Sequence, residues 1–79
     1  MPIRFEERKA VFDGDCTLEE AMTLAEWLET GPAAADLSAC TGLHTALLQL
    51  LLAGGVRLDA PPADPFLARW VAPLLPTGR

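Results

Sequence analysis

The sequence contains few of the residues on which several functional classes depend. Its 79 residues include two cysteines, one histidine and no tyrosine. Cys16 and Cys40 are not part of a C-x-x-C pattern, so neither a disulfide framework nor a zinc site is expected. We expect two buried, reduced thiols and no metal or other cofactor.

Basic residues are also scarce, and they form no cluster along the chain. The chain has six Lys and Arg residues and eleven Asp and Glu residues, which gives a net charge of -5. Nucleic acids attract clustered basic side chains through their phosphates. A nucleic-acid partner is therefore not expected.

Long apolar runs are absent as well. The longest uninterrupted one covers residues 50–53, whereas a membrane-spanning helix needs about 20 apolar residues. The charged opening MPIRFEERK differs from a signal peptide, which turns apolar at this point. We expect no direct membrane insertion and a cytoplasmic location.

The overall composition is that of a small globular domain. Apolar residues make up 51% of the chain and charged residues 22%. Such a composition supplies one hydrophobic core, although a chain this short buries only about 60–65% of its unfolded surface. We predict a single domain over residues 1–79.

The first half of the chain predicts two strands and a helix. The strands cover residues 3–6 and 9–12, a break follows at 13–15, and the helix continues to about Glu29. Thr17 and Glu20 have the spacing of a capping box at its start. Glu19, Glu20, Glu26 and Glu29 are predicted to face solvent, and the predicted buried face consists of Leu18, Ala21, Met22, Ala25 and Leu28.

Gly31-Pro32 ends this helix, and the second half continues the alternation. A short strand buried on both faces is predicted at 33–37, a turn at 38–42 and a helix at 43–53 closed by Gly54-Gly55. A strand at 56–60 precedes a last helix, at 66–75, with Asp64 as N-cap and Pro65 in the first turn. The predicted fold is α/β, with a mostly parallel four-stranded sheet and three helices in the order β-β-α-β-α-β-α.

The middle of the chain resembles a known family. Residues 34–38 read AADLS, residues 40–47 read CTGLHTAL, and the leucine-rich segment LQLLLA follows. This order resembles the STAS family, the bacterial anti-sigma-factor antagonists and their relatives, and Gly14 is similar to the glycine that ends the family's second strand. The resemblance implies a regulatory, non-enzymatic domain.

Thr45 falls where the family has its regulatory Ser or Thr, which partner kinases phosphorylate in the antagonists. The sequence departs from the family pattern at His44, where Asp is usual, and at Leu47, where Gly is usual. The Thr-Ala pair is similar to the STAS subunit of lipid-transport ABC systems, whose corresponding segment contacts the ATPase subunit. Two alternatives stay open: Thr45 is phosphorylated, or it contacts the local backbone or a partner unmodified.

The second helix divides into two arcs when its residues are placed at 3.6 per turn. The predicted core arc consists of Leu43, Ala46, Leu47, Leu50, Leu51 and Ala53. The predicted outward arc consists of His44, Thr45, Leu48, Gln49 and Leu52. Outward leucines are typical of a contact surface, although the last helix could cover them. We expect a protein partner, either a regulator of the anti-sigma or kinase type or an ABC ATPase, with a homodimer as the third alternative.

A competing motif points to an enzyme. Residues 10–18 read AVFDGDCTL and resemble the D-x-D-x-T pattern of the haloacid-dehalogenase phosphatases, with Asp13 as nucleophile and Asp15 as acid/base. That chemistry requires Mg²⁺, a further carboxylate and a cation near the phosphoryl group. The alternative is a plain turn followed by a helix cap. Because the only lysine, Lys9, precedes the motif, we rank catalysis below partner binding and predict a non-enzyme.

Overall fold

The strands and α-helices follow the predicted order along the chain. The computed structural model describes residues 3–31 and 33–76, so Pro32 of the predicted helix stop lies outside the described residues. The strands are β1 (Ile3–Glu6), β2 (Lys9–Cys16), β3 (Ala34–Leu43) and β4 (Arg57–Ala60). The helices are α1 (Ala21–Leu28), α2 (Thr45–Ala53) and α3 (Pro65–Trp70), and short 3-10 turns add Leu18–Glu20 and Ala72–Leu74.

The four strands form one mixed sheet in the order β1-β2-β3-β4. The pairing of β1 with β2 is antiparallel, while β2 with β3 and β3 with β4 are parallel. Both crossovers, through α1 and through α2, step in the same direction across the sheet. Since such crossovers are right-handed, α1 and α2 pack side by side on the same face.

One face of the sheet carries the hydrophobic core. Ala10, Ala35 and Leu58 lie next to one another across three strands on this face, and all are buried. The helices complete the same cluster with Leu24, Leu47, Leu51, Leu67, Val71 and Leu75. The molecule therefore has two layers, and its shortest dimension is 19 Å.

The other face of the sheet is polar. Arg4, Glu6, Asp59 and Arg57 are exposed there, and Lys9 forms an ion pair with Asp59 at 3.5 Å. The prediction that the strand at 33–37 is buried on both faces is confirmed in part: Ala34 is buried on this face and Ala35 and Leu37 are buried on the opposite one, but Asp36 is only half-buried on this face.

Both central strands run further than the sequence predicted. The break at 13–15 and the turn at 38–42 are instead strand, with Asp13 next to Ala39 and Cys16 next to Leu43. Two register shifts in the β2–β3 pairing accommodate the irregular residues. Gly14 has a φ of 72°, which an L side chain rarely adopts, and such residues are typical of β-bulges.

The start of α1 also differs from the prediction. The side chain of Thr17 makes no capping hydrogen bond, and the chain first forms the 3-10 turn. The 3-10 segment has about 3.0 residues per turn instead of 3.6, so the residues of α1 lie at different angles around the helix axis than a continuous α-helix predicts. Leu24 is fully buried and Glu20 is 8% exposed, whereas Leu18 and Met22 are 56% and 75% exposed.

Two predicted helix boundaries in the second half are confirmed, namely the end of α2 and the start of α3. Gly55, with a φ of 64°, follows the end of α2 in the left-handed conformation. Asp64 caps α3, and its Oδ2 accepts the backbone N–H of Leu67 at 3.1 Å. The last helix is shorter than predicted, since its final turn is 3-10. Within the described residues, no helix is long and apolar enough to cross a membrane.

Candidate protein-interaction site

His44 fixes the start of α2. Its Nδ1 accepts the backbone N–H of Ala46 at 3.0 Å, and its carbonyl oxygen accepts those of Leu47 and Leu48. Its own N–H donates to the carbonyl of Cys16 at 3.0 Å, which ties the helix start to the end of β2. The helix therefore begins at Thr45 rather than at the predicted residue 43, with His44 as the N-cap.

Thr45 is the first residue of α2, and its side chain is exposed. The capping hydrogen bond in this turn comes from His44 rather than from the hydroxyl of Thr45. The hydroxyl thus faces solvent near the positive end of the helix dipole. This position suits either a contact with a partner or a phosphoryl group, and phosphorylation stays a prediction.

The outward arc of α2 is exposed in four of its five predicted members. His44, Thr45 and Gln49 are exposed, and Leu52 is 44% exposed. Leu48 is half-buried against the core, so its prediction as a fully outward residue is wrong.

The core arc of α2 is narrower than predicted. Leu47 and Leu51 are fully buried, while Leu43, Ala46 and Leu50 are half-buried and Ala53 is exposed. The reason is that one flank of the helix, with Ala46, Leu50 and Ala53, borders an open groove shared with α1. Helical spacing does not predict this groove. It predicts Leu18 and Met22 as core, whereas both are exposed beside the groove.

The two aspartates of the competing phosphatase motif lie on one strand. Asp13 and Asp15 are exposed on β2, while Lys9 lies four residues before Asp13, roughly 13 Å along the strand. The polar residues that follow other strands have partners of their own: Ser38 donates its hydroxyl to Asp36 at 2.7 Å, and Asp59 pairs with Lys9. Asp64 caps α3. Within residues 3–31 and 33–76, no three His, Cys, Asp or Glu side chains are grouped to hold a metal.

The two cysteines are buried and are not joined in a disulfide, as predicted. Cys16 on β2 and Cys40 on the neighbouring β3 are each 1% exposed. The hydrogen bond between the two thiols, together with burial, raises the pKa of Cys16 well above its ordinary range. Cys16 therefore stays protonated in the folded protein.

Comparison with family models, curated proteins and solved structures gives no match for this chain. The observed features define a small α/β domain with a mixed sheet and one layer of helices. Its exposed large apolar side chains are Leu18 and Met22 beside the groove, Leu52 on α2, and Phe66, Trp70 and Leu74 in and after α3.

Proposed function

We propose that the chain is a STAS-like, non-enzymatic domain of the cytoplasm that binds a partner protein through α2. The contact residues are His44, Thr45, Leu48, Gln49 and Leu52. The observation that carries the proposal is Leu52, a large apolar side chain 44% exposed on the same side of the helix as Thr45. A leucine among exposed polar residues supplies the apolar centre of a small interface.

The orientation of this surface supports the proposal. Leu47 and Leu51 anchor the opposite side of α2 in the core, and the His44–Cys16 hydrogen bond holds its first turn. The helix is therefore presented in one fixed orientation before a partner arrives. Such preorganisation lowers the entropic cost of association.

The partner class follows from the STAS resemblance. We propose a regulator of the anti-sigma or kinase type, with Thr45 as the phosphorylation candidate. A phosphoryl group adds nearly two negative charges at the first residue of α2, where the helix dipole stabilises an anion. Because the same residue belongs to the contact surface, the added charge would alter partner binding directly.

Affinity purification from the native cell tests the surface. Tagged wild type, Leu52→Glu and Leu74→Glu are compared by quantitative mass spectrometry; Leu74 is the matched control because it is 53% exposed but lies after α3. We expect Leu52→Glu to lose its partner and Leu74→Glu to retain it. Equal recovery by all three proteins would refute the proposal. Recovery of an ABC ATPase instead of a regulator would identify the chain as a lipid-transport subunit.

Intact-mass measurement tests the switch separately. Protein purified from its own host is expected to carry one added phosphate, which is absent in Thr45→Ala. If no phosphate is found, yet Thr45→Ala still weakens partner recovery, Thr45 is a contact and not a switch.

A phosphatase assay with an aryl phosphate and Mg²⁺ tests the non-enzymatic part of the proposal. We expect no turnover above buffer. Turnover that disappears in Asp13→Asn would contradict the proposal and favour the phosphatase motif.

A further inference from the structure

An apolar groove of about 740 Å³ lies between α1 and α2. Leu18, Met22 and Ala25 line one side, and Ala46, Leu50 and Ala53 line the other. A second hollow of about 280 Å³ shares Ala25, Leu50 and Ala53 and extends the groove to Gly54. The groove therefore follows the seam between the two helices.

The walls of the groove are suited to receiving side chains from another molecule. Met22 is 75% exposed and Leu18 is 56% exposed, although both are large and apolar. The alanines that line the groove have small side chains, so large side chains of a partner have room there. Met side chains also adapt their shape to different partners.

The charges of the groove are all of one sign. Glu19 lines one end and Glu29 lines the other, both are exposed, and no Lys or Arg lines either hollow. The two carboxylates are ten residues apart, roughly 15 Å along a helix, or about three turns. Neither belongs to an ion pair within the part of the chain that the structure describes.

We propose that this groove binds an amphipathic helix of a partner protein, with apolar residues along one face and a Lys or Arg near each end. Grooves of this kind accept helices through side chains spaced at i, i+3 or i+4, and i+7. The acidic ends fix the position of the partner and select against acidic helices. This goes beyond the proposed function, because the groove lies on the flank of α2 opposite Leu48 and shares only Gln49 with the surface proposed above.

A second copy of the chain does not fit the groove equally well. Pairing two copies groove to groove places Glu19 or Glu29 of one copy near the same acidic residues of the other. Like charges across an interface oppose association. The charge pattern therefore favours a basic partner over self-association.

Fluorescence anisotropy with a panel of labelled synthetic helices tests the proposal on the full chain. Each peptide has about 14 residues, with Leu, Ile, Met or Phe at the apolar positions and Lys near both ends, and each has a twin with Glu in place of Lys. We expect saturable binding of Lys peptides and at least roughly tenfold weaker binding of their Glu twins. The double variant Glu19→Gln/Glu29→Gln is expected to weaken binding by about fivefold, as for two exposed ion pairs.

Two further variants localise the site. Met22→Asp, in the groove, is expected to weaken binding by more than about tenfold, and Leu74→Asp, outside the groove, to leave it unchanged. Circular dichroism and urea unfolding show that each variant is folded, and Met22 is exposed enough to tolerate the change. The proposal is overturned if no peptide saturates, if Lys peptides and their Glu twins bind equally, or if Met22→Asp binds like wild type. It is also overturned if sedimentation shows a dimer that Met22→Asp abolishes, since a second copy then fills the groove.

Discussion

Nδ1 of His44 accepts the backbone N–H of Ala46 at 3.0 Å, so a histidine caps the helix that carries the proposed interface. Replacing His44 by Ala removes this acceptor and leaves a first-turn N–H without its partner. We expect the free energy of unfolding to fall by roughly 0.5–1 kcal/mol. Urea denaturation followed by circular dichroism measures the difference.

His44→Asp is the matched control for the cap. Aspartate is a preferred N-cap, and its charge is favourable at the positive end of the helix dipole. The variant should be at least as stable as wild type. Equal losses in His44→Ala and His44→Asp would contradict the capping role and assign another function to the imidazole.

Asp36 and Ser38 are joined by hydrogen bonds within β3. Oδ1 of Asp36 accepts the hydroxyl of Ser38 at 2.7 Å and its backbone N–H at 2.9 Å. The hydroxyl hydrogen bond first, and then the backbone one, lower the pKa of Asp36. A lowered pKa in the folded state contributes stability above the unfolded pKa of about 3.9, and this contribution disappears as the pH falls through the folded value.

Asp36→Asn is therefore expected to lower stability at pH 7 by about 1 kcal/mol, since hydrogen bonds to a partly exposed carboxylate are modest. Urea unfolding at several pH values should show the two proteins converge as the pH falls through the lowered folded pKa of Asp36. Ser38→Ala retains the backbone donor and should therefore lose less stability than Asp36→Asn. A constant difference at all pH values would show that the carboxylate charge is not involved.

The raised pKa of Cys16 predicts that the protein loses stability as the pH becomes alkaline. Because its pKa is raised in the folded state, its stabilising contribution is complete below the unfolded pKa of about 8.5 and decreases as the pH rises above it. The unfolded thiol ionises there while the folded one stays protonated. The hydrogen bond from Cys16 lowers the pKa of Cys40, so the folded pair loses one proton where the unfolded pair loses two. Wild type should therefore lose about 1.4 kcal/mol per pH unit more than the double variant Cys16→Ala/Cys40→Ala above that point. Parallel stability curves for the two proteins would contradict this.

Much of the fold could be predicted because its signals are local. Asp64 followed by Pro65 specifies a helix start, and Gly55 specifies a helix end, whatever the rest of the chain does. The alternation of apolar strands and helices likewise indicates crossover connections. Their right-handedness then determines how the layers pack.

The remaining features depend on contacts between segments that are distant in sequence. Ser38 to Gly42 read as a turn, but pairing with β2 keeps them in a strand once bulges absorb the irregular residues. The 3-10 turn before α1 changes which residues of that helix face the sheet. This rotation exposes Met22 and opens the groove. The rotation has no signature in the local sequence, whereas Gly14 within β2 is a local signal for a bulge.

The proposed interface was predicted only in part for the same reason. A helical wheel places Leu48 and Leu52 together, yet Leu48 is half-buried against the core and Leu52 is exposed. Periodicity gives the angle of a residue around its helix. It does not give the depth to which neighbouring elements cover that residue.

The division of α2 into a core side and an outward side predicts that replacing neighbouring leucines by alanine lowers the free energy of unfolding by unequal amounts. Leu51 is fully buried and Leu52 is 44% exposed, so Leu51→Ala leaves a cavity while Leu52→Ala mainly removes exposed surface. We expect Leu51→Ala to cost roughly 2–5 kcal/mol and Leu52→Ala less than about 0.5 kcal/mol. Small domains have total stabilities of order 5 kcal/mol, so the first change removes a large share of the stability. Urea unfolding of both variants measures this; similar losses would show that Leu52 is part of the core and therefore not available to a partner.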